Sequence, residues 1–430
     1  MTHKFEFPLR QHIGSPAIPI VKKGDKILRG QLIAKAAEGQ LGANIFASVS
    51  GSVDEVLETQ IQIIADEMQK DEYVKLTSKT PEDLIKEAGI VGLGGAGFPT
   101  YAKLAKPFDN GGVIIVNAAE CEPILNHNIV RIEKNPDQLI RGLKIVMEVT
   151  KAKRGIIAIK ETHLEAINKL KAAMNDERIS VYILPDMYPM GEERAIIREV
   201  LGLTLEVDKL PSEAEAIVMN AETICRVQEA VELKKPLIDK DMTVAGKLQG
   251  KLINTFHDIP IGISVAEMLE KAGGLGPEYG EIIMGGPYTG KRVSLESPVI
   301  KTTGGIIATE TFWSCPKKIG LLVCACGGNQ ERLEQIAESM GSEVVGTEYC
   351  KQAKVMKNGT LKCENPGRCP GQVQKVMALK KTGAQALLIS NCTDCSNTVM
   401  SCAPQLKLPV YHCTDGSLRA VNHKLVRRIK

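Results

Sequence analysis

Between residues 77 and 235 the sequence switches repeatedly between two kinds of segment, and this alternation limits the fold more than any other feature. Apolar runs of strand length, "GGVIIVNA", "RGIIAIK" and "ISVYILP", are separated by longer amphipathic stretches, "PDQLIRGLKIVMEVTKA" and "HLEAINKLKAAMND". Near-continuous apolar strands joined by helices form an open parallel sheet, because parallel neighbours need a long crossover and both sheet faces are then covered. "TPEDLIKEAGI" opens the region as a capped helix, with Thr80 ahead of Pro81 in the first turn and acids following. Ligands of such sheets bind beyond the carboxyl ends of the strands. The unusual residues at those ends are therefore the candidate site.

"VGLGGAGFPTYAKL", residues 91–104, is the first such segment, with Gly92, Gly94, Gly95 and Gly97 close together. Glycines let a backbone take positive φ and approach a ligand closely. Bared N–H groups at a helix start, with Lys103 a turn further on, suit an anionic group such as a phosphate. A tight strand-to-helix turn is the alternative reading. Three more segments join it. "VNAAECEP" places Asn117, Glu120 and Glu122 just beyond a strand, "MYPMGEERAIIREVLG" puts Tyr188, Gly191, Glu192 and Glu193 at a helix start, and "VMNAET" adds Asn220 and Thr223. Acids at helix starts also serve as caps and dipole partners. As a set, however, acids for ribose hydroxyls and an aromatic for ring stacking suit a dinucleotide or flavin pocket. The seven histidines are scattered and no GxSxG is present, so a Ser-His-Asp hydrolase finds no support.

The flanking regions read differently. Residues 1–76 hold short alternating runs broken by "KKGD", "RG" and "SG" turns, which predict an all-β, sandwich-like module. Residues 236–308 carry a hairpin, a helix and a strand with a glycine turn, as in a β-grasp unit. From 309 to 430 the α/β texture returns with a concentration of cysteine. Ten of the 12 cysteines fall here: Cys315, Cys324, Cys326, Cys350, Cys363, Cys369, Cys392, Cys395, Cys402 and Cys413. Cys121 and Cys225 stand apart and read as buried hydrophobes. The N-terminus lacks a signal-peptide pattern and no apolar run reaches membrane-span length, so a cytoplasmic protein is expected. Reduced thiols in that compartment point to metal, iron–sulfur or redox chemistry. With 54 basic against 51 acidic residues and no basic cluster interleaved with aromatics, a dedicated nucleic-acid binder is excluded.

Taken in order, "FPLRQHIGSPAIPIVKKGDKILRGQLIA", "GLGGAGFPTYAKL", "VNAAECEP", "YPMGEERAI" and "GEIIMGGPYTG" resemble the C subunit of the Rnf ferredoxin:NAD oxidoreductase, over residues 5 to 308. That family is in turn similar to the flavin- and NADH-binding subunit of respiratory complex I. The resemblance implies an α/β multidomain protein with a barrel-sandwich-like module (1–76), a complex I flavin-subunit-like α/β domain binding FMN and NADH (77–235), an SLBB-like β-grasp domain (236–308) and a Cys-rich iron–sulfur α/β domain (309–430). By resemblance Gly92, Gly94, Gly95 and Lys103 line FMN, with Asn117, Asn220 and Thr223 as further flavin contacts. Glu120, Glu122, Tyr188, Gly191, Glu192 and Glu193 match positions along the flavin and NADH pocket. Leu93 stands where the complex I protein has arginine, and Ala119 where it has aspartate.

The back of the chain departs from the Rnf pattern, which carries two CxxCxxCxxxCP runs absent here. "KIGLLVCACGGN" and "CPGQVQKVMALKKTGAQALLISNCTDC" resemble instead the iron–sulfur module of heterodisulfide-reductase-associated and methyl-viologen-hydrogenase delta subunits. That resemblance implies Cys324, Cys326, Cys369, Cys392 and Cys395 as ligands of a 2Fe–2S rather than a 4Fe–4S cluster. Four thiolates serve zinc equally well. An Rnf-like front with this back resembles the electron-transfer proteins associated with D-proline reductase in amino-acid fermentation. The implied activity is an NADH-dependent oxidoreductase passing electrons through FMN and a cluster to a redox partner protein, proline reductase or similar. The alternatives are a cobalamin reductase-like enzyme, or a non-catalytic assembly or metal-binding module that has lost the flavin.

Overall fold

The computed structural model describes residues 3–109, 111–357 and 359–427. Strands β1 (Lys4–Pro8), β2 (Ile18–Pro19), β3 (Lys26–Ile27), β4 (Leu32–Lys35), β5 (Ile45–Phe46), β6 (Gly51–Val56) and β7 (Gln60–Ala65) form two antiparallel sheets, ordered β1-β7-β6-β3 and β2-β4-β5. Alternation along β1 sends Phe5 and Phe7 inward, as a one-sided strand requires.

Helices α1 (Pro81–Glu87) and α2 (Thr100–Leu104) flank the glycine loop. The N-cap of α1 is Thr80, whose side chain accepts from Asp83 N at 3.2 Å, with Pro81 at the first turn. There follow β8 (Val113–Ala118), α3 (His127–Lys134), α4 (Pro136–Thr150), β9 (Arg154–Lys160), α5 (Leu164–Ala173), β10 (Ile179–Leu184), α6 (Glu193–Leu201), β11 (Ala216–Asn220) and α7 (Ala221–Gln228). The four strands make one parallel sheet, ordered β10-β9-β8-β11. Both faces of β8 are buried. Ile114 and Val116 pack with Leu143, Met147 and Ile224 on one side, and Val113 and Ile115 with Ile196 and Ile197 on the other. After β8 the chain adds β9 and β10 on one side, then places β11 on the other. The strand order therefore reverses between β8 and β11.

A mixed sheet follows, built from β12 (Asp239–Gly246), β13 (Ile253–Pro260), β14 (Ile282–Met284), β15 (Lys291–Arg292) and β16 (Gly305–Ala308) in the order β13-β12-β16-β14-β15, with α8 (Val265–Lys271) after β13. Its core is continuous with that of the N-terminal strands: Phe7, Ile33, Ile61 and Ile63 belong to one buried cluster with Met242, Val244 and Met268. Against the parallel sheet it makes ionic contacts instead. Arg226 of α7 binds Asp241 of β12 at 2.8 Å, and Lys240 binds Glu222, all four side chains essentially buried. Charges so placed are tolerated because each is paired.

The last region contains β17 (Lys318–Val323), α9 (Gln330–Ser339), β18 (Glu343–Tyr349), the hairpin β19 (Ala353–Val355) and β20 (Leu361–Cys363), α10 (Val373–Lys381), β21 (Ala386–Ile389), α11 (Thr393–Cys402), β22 (Val410–His412) and α12 (Asp415–Ala420). A second parallel sheet, ordered β18-β17-β21-β22, reverses its strand order between β17 and β21. Among the described residues no helix is long and apolar enough to cross a membrane.

Candidate functional site

Asn117 is the last but one residue of β8 and Asn220 ends β11, and the two are partners in register across the switch point of the first sheet. The crevice outside such a reversal is where open α/β sheets bind ligands. The glycine loop lies over it. Thr223, in the first turn of α7, accepts from Leu93 N at 2.9 Å, and Gly92 N donates to Phe98 O at 2.8 Å. Gly94 has φ +74, and a Cβ there would lie 3.1 Å from Asn220 Nδ2. A Cβ on Gly95 would meet nothing within 4 Å, so the backbone at that point borders open space. Lys103 of α2 reaches across to Glu193 of α6, whose side chain is 45% exposed. Asn117 Nδ2 donates to Gly191 O at 2.9 Å, and its Oδ1 accepts from Ala119 N at 3.1 Å. The structure thus gathers Gly92, Gly94, Gly95, Lys103, Asn117, Gly191, Glu193, Asn220 and Thr223 at one sheet edge. The open face at Gly95 and the cation at Lys103 fit a phosphate-bearing group such as FMN.

The other four candidates are engaged within the chain. Glu120, held at φ +38, turns inward and accepts from Ile129 N and from His127 Nδ1, both at 3.1 Å. Burial lowers the pKa of His127, so this contact is a hydrogen bond to a neutral ring. Glu122 points the opposite way and accepts from Tyr288 N at 2.9 Å, Thr289 N at 3.0 Å and Thr289 Oγ1 at 2.6 Å. Burial nevertheless pushes its carboxyl up, against the pull of those bonds. Glu192 is the N-cap of α6, accepting from Arg194 N at 2.8 Å and Ala195 N at 2.9 Å. The Tyr188 ring stacks on that of Tyr288, with centroids 3.7 Å apart and planes 7° off parallel.

A second site lies at the switch point of the C-terminal sheet. Cys324 follows β17 directly, Cys392 follows β21 and caps α11, and Cys395 sits in the first turn of α11. They line a small cavity with Cys326, Cys350, Cys363 and Cys369. All seven are free thiols, packed in one buried cluster. Among the described residues no three metal-binding side chains are already disposed as ligands of one ion. The donor set itself suits thiolate chemistry. Buried Gln372 donates from Nε2 to Cys350 Sγ at 3.1 Å and to Cys369 Sγ at 3.3 Å, and among the described residues its Oε1 has no partner. Cys392 Sγ accepts from Cys395 N at 3.4 Å. The Cys395 thiol, outweighing burial, holds Cys369 down at about 6. Cys350 and Cys363 carry no ligand spacing in sequence; the β19–β20 hairpin brings them in. Its Gly-containing turn, flanked by two cysteines, is the only local signal that could have marked them.

The two sites touch. Tyr188 N donates to Thr393 Oγ1 at 2.9 Å and Thr393 N to Tyr188 O at 3.2 Å, which ties the loop before α6 to the residue after Cys392. Gly191, beside Asn117, leaves room for Cys121, whose sulfur would lie 2.7 Å from a Cβ there. Cys121, Tyr188 and Tyr288 belong to the same packed cluster as the cavity cysteines. Arg194 of α6 donates to Cys363 O at 2.6 Å, and Arg198 to Pro366 O at 2.9 Å.

Two family models and several curated relatives match the chain. Residues 1–71 match the RnfC barrel sandwich hybrid domain family, and residues 85–229, which hold every candidate residue of the first site, match the Nuo51 FMN-binding domain family. The C subunit of the proton-translocating ferredoxin:NAD(+) oxidoreductase complex of Clostridium ljungdahlii is 34% identical over 323 residues, 71% of this chain and 70% of that protein. Its counterpart in the Na(+)-translocating complex of Acetobacterium woodii is 33% identical over 320 residues, covering 70% of this chain and 72% of its own. The cobalamin reductase PduS of Citrobacter freundii is 38% identical over 231 residues, which span 54% of this chain and 50% of that protein.

Proposed function

The chain belongs to the family of C subunits of ion-translocating ferredoxin:NAD(+) oxidoreductase complexes, and from that premise we propose that it is an NADH-dependent electron-transfer protein that takes FMN at the glycine loop and an iron–sulfur cluster in the thiol cavity. The observation that carries this reading is the direct contact of the two sites through Tyr188 and Thr393. Electrons leaving one site need cross only that shared wall.

Bound flavin supplies the conversion of a hydride, two electrons at once, into single electrons. The chain's own residues bind and orient. Backbone N–H groups at Gly94 and Gly95 would face the phosphate, with Gly92 closing the loop on Phe98 O, Thr223 holding it at Leu93 and Lys103 supplying the cation once released by Glu193. Asn117 and Asn220 would border the flavin from the two strand ends. Gly191 and Glu193 lie where NADH enters, while Glu120, Glu122, Tyr188 and Glu192 keep the walls in position. Cys324, Cys326, Cys369, Cys392 and Cys395 would hold the cluster, which we read as 2Fe–2S, with Cys350 and Cys363 in reach. Overall, each NADH would be oxidised to NAD+ and H+, with its two electrons passed on singly. The acceptor in this reading is a partner reductase, and the resemblance of the C-terminal region supports D-proline reductase. The likeness to cobalamin reductase supports a corrinoid acceptor as the second reading.

The test uses protein purified under nitrogen. Wild type should contain flavin, iron and sulfide, and should reduce both a small dye and proline reductase with NADH. Cys392→Ser and Cys395→Ser should each lose iron and proline reductase reduction while dye reduction survives, since a cluster needs all its thiolates at once. Zinc in place of iron would refute the cluster, and wild type lacking both flavin and dye activity would refute the nucleotide site. NADH-driven reduction of cobalamin but not of proline reductase would select the second reading.

A further inference from the structure

Glutamine is a surface residue in most proteins, yet Gln372 is completely buried beside the thiol cavity. Gly371, at φ +90, turns the chain out of the Cys369 loop, and Gln372 follows as the N-cap of α10, its carbonyl accepting from Val376 N at 2.9 Å. Val376 and Leu379 of that helix are buried in the same cluster as the cavity cysteines, so the amide is carried on a fixed element. Its Nε2 spans two sulfurs from different parts of the fold: Cys350, directly after β18, at 3.1 Å, and Cys369, in the loop before α10, at 3.3 Å. An amide nitrogen carries two hydrogens, one for each sulfur. Among the described residues the other end of the amide, Oε1, is left buried without a donor. Packing alone does not account for this, because a leucine of similar bulk would leave no oxygen unpaired there. The reverse orientation would turn Oε1 toward both sulfurs, and a sulfur bound to metal has no proton to give it. The amide is therefore placed for its N–H groups.

We propose that Gln372 is a positioning residue of the thiol cavity: its amide holds the sulfurs of Cys350 and Cys369 in place and keeps the reduction potential of the iron–sulfur cluster high. The inference rests on the reading of that cavity as a cluster site. Gln372 is not among the described residues that line the cavity, so it acts through the two sulfurs and not as a ligand. When one electron enters, no bond forms or breaks, and one negative charge is added over iron and sulfur. An N–H group aimed at sulfur stabilises that added charge more than the oxidised state, which raises the potential. Burial strengthens the effect, because no water competes for the sulfurs on that side. The same two bonds tie the end of β18 to the Cys369 loop, which fixes the spacing of the two thiols.

The test compares full-length wild type, Gln372→Leu and Gln372→Asn, all purified under nitrogen. Leucine keeps the bulk and removes the donors; asparagine keeps the amide but withdraws it by one methylene. Iron and sulfide per chain should match wild type, and so should NADH-driven dye reduction, which does not pass through the cavity. The midpoint potential, read by dithionite titration with mediators, should become more negative in Gln372→Leu, by about tenfold in the reduction equilibrium or about 59 mV for one electron. Gln372→Asn should show a smaller shift of the same sign, and is read alone if leucine prevents cluster assembly. A second readout needs no iron. Cobalt(II) added to metal-stripped protein gives thiolate-to-cobalt charge-transfer bands, which should move to lower energy in both variants, since sulfurs deprived of N–H donors hold their electrons less tightly. Where wild type holds iron, the potential decides. A change below about twofold in the equilibrium in both variants overturns the proposal even if stability falls, as a purely structural glutamine predicts. Where wild type holds zinc or no metal, the cluster reading fails by itself and the cobalt bands decide. Shifted bands then uphold the hold of the amide on the sulfurs, and unmoved bands overturn it.

Discussion

Replacing Gly95 by alanine should make the protein slightly more stable and less able to hold flavin. A Cβ at Gly95 meets nothing within 4 Å and the residue is not in the left-handed region, so the folded state accommodates a methyl group without strain. The unfolded chain loses conformational freedom, which stabilises the fold by about 0.4–1 kcal/mol. Gly94 next to it is the control. Its φ of +74, with a Cβ 3.1 Å from Asn220 Nδ2, makes Gly94→Ala costly, by about 1–2 kcal/mol for the left-handed backbone alone. Two adjacent glycines should thus shift stability in opposite directions. Flavin affinity should fall in both, because in Gly95→Ala the new methyl occupies the space through which the backbone meets the phosphate. A tenfold loss, about 1.4 kcal/mol, is the least expected of a steric block. Urea unfolding of flavin-free protein gives the stability, and fluorescence titration with FMN gives the affinity. Gly95→Ala with raised stability and affinity within about twofold of wild type would show that the loop is only a turn.

Neighbouring acids on α6 should separate by assay. Glu192→Ala removes the cap on Arg194 N and Ala195 N and should cost about 1 kcal/mol of stability with the KM for NADH unchanged. Glu193→Gln frees Lys103 and should raise the KM for NADH while flavin stays bound. Unaltered NADH dependence in Glu193→Gln would remove that residue from the site. Lys301 should make stability depend on pH. Its ammonium donates to Asn44 O at 2.6 Å and Gly89 O at 2.7 Å, and burial pulls it down from 10.5 to about 7. Between those values the unfolded chain holds the extra proton, so stability contributed by this group rises with pH. Urea midpoints of wild type minus Lys301→Met should climb across that window, and a flat difference would contradict the assignment.

Much of this protein is local in origin. The period of apolar residues in 113–220 determines a parallel sheet because its inner strands β8 and β9 are buried on both faces. Glycine's lack of a Cβ marks the loop over the switch point for the same kind of reason, as a property of the residues themselves. Asn117 and Asn220 were recognisable as strand-end residues, although they lie far apart in the chain. That they face each other in register depended on β11 joining the side of β8 away from β9.

Tertiary structure alone decided the rest. Glu120 and Glu122 are two residues apart and chemically alike, yet the positive φ at Glu120 sends one carboxylate to α3 and leaves the other to the Tyr288 loop. The short strands of the N-terminal module and the sheet of 239–308 read as separate units, but they share one buried cluster, since small one-sided sheets gain a core by packing on one another. Cys350 and Cys363 have no motif because a thiol site needs proximity of sulfurs, and a hairpin supplies that proximity without regular spacing. The contact of Tyr188 with Thr393, which joins the glycine-loop site to the thiol cavity, spans residues more than 200 apart. Periodicity records which face of an element is buried; it cannot record what that face is buried against.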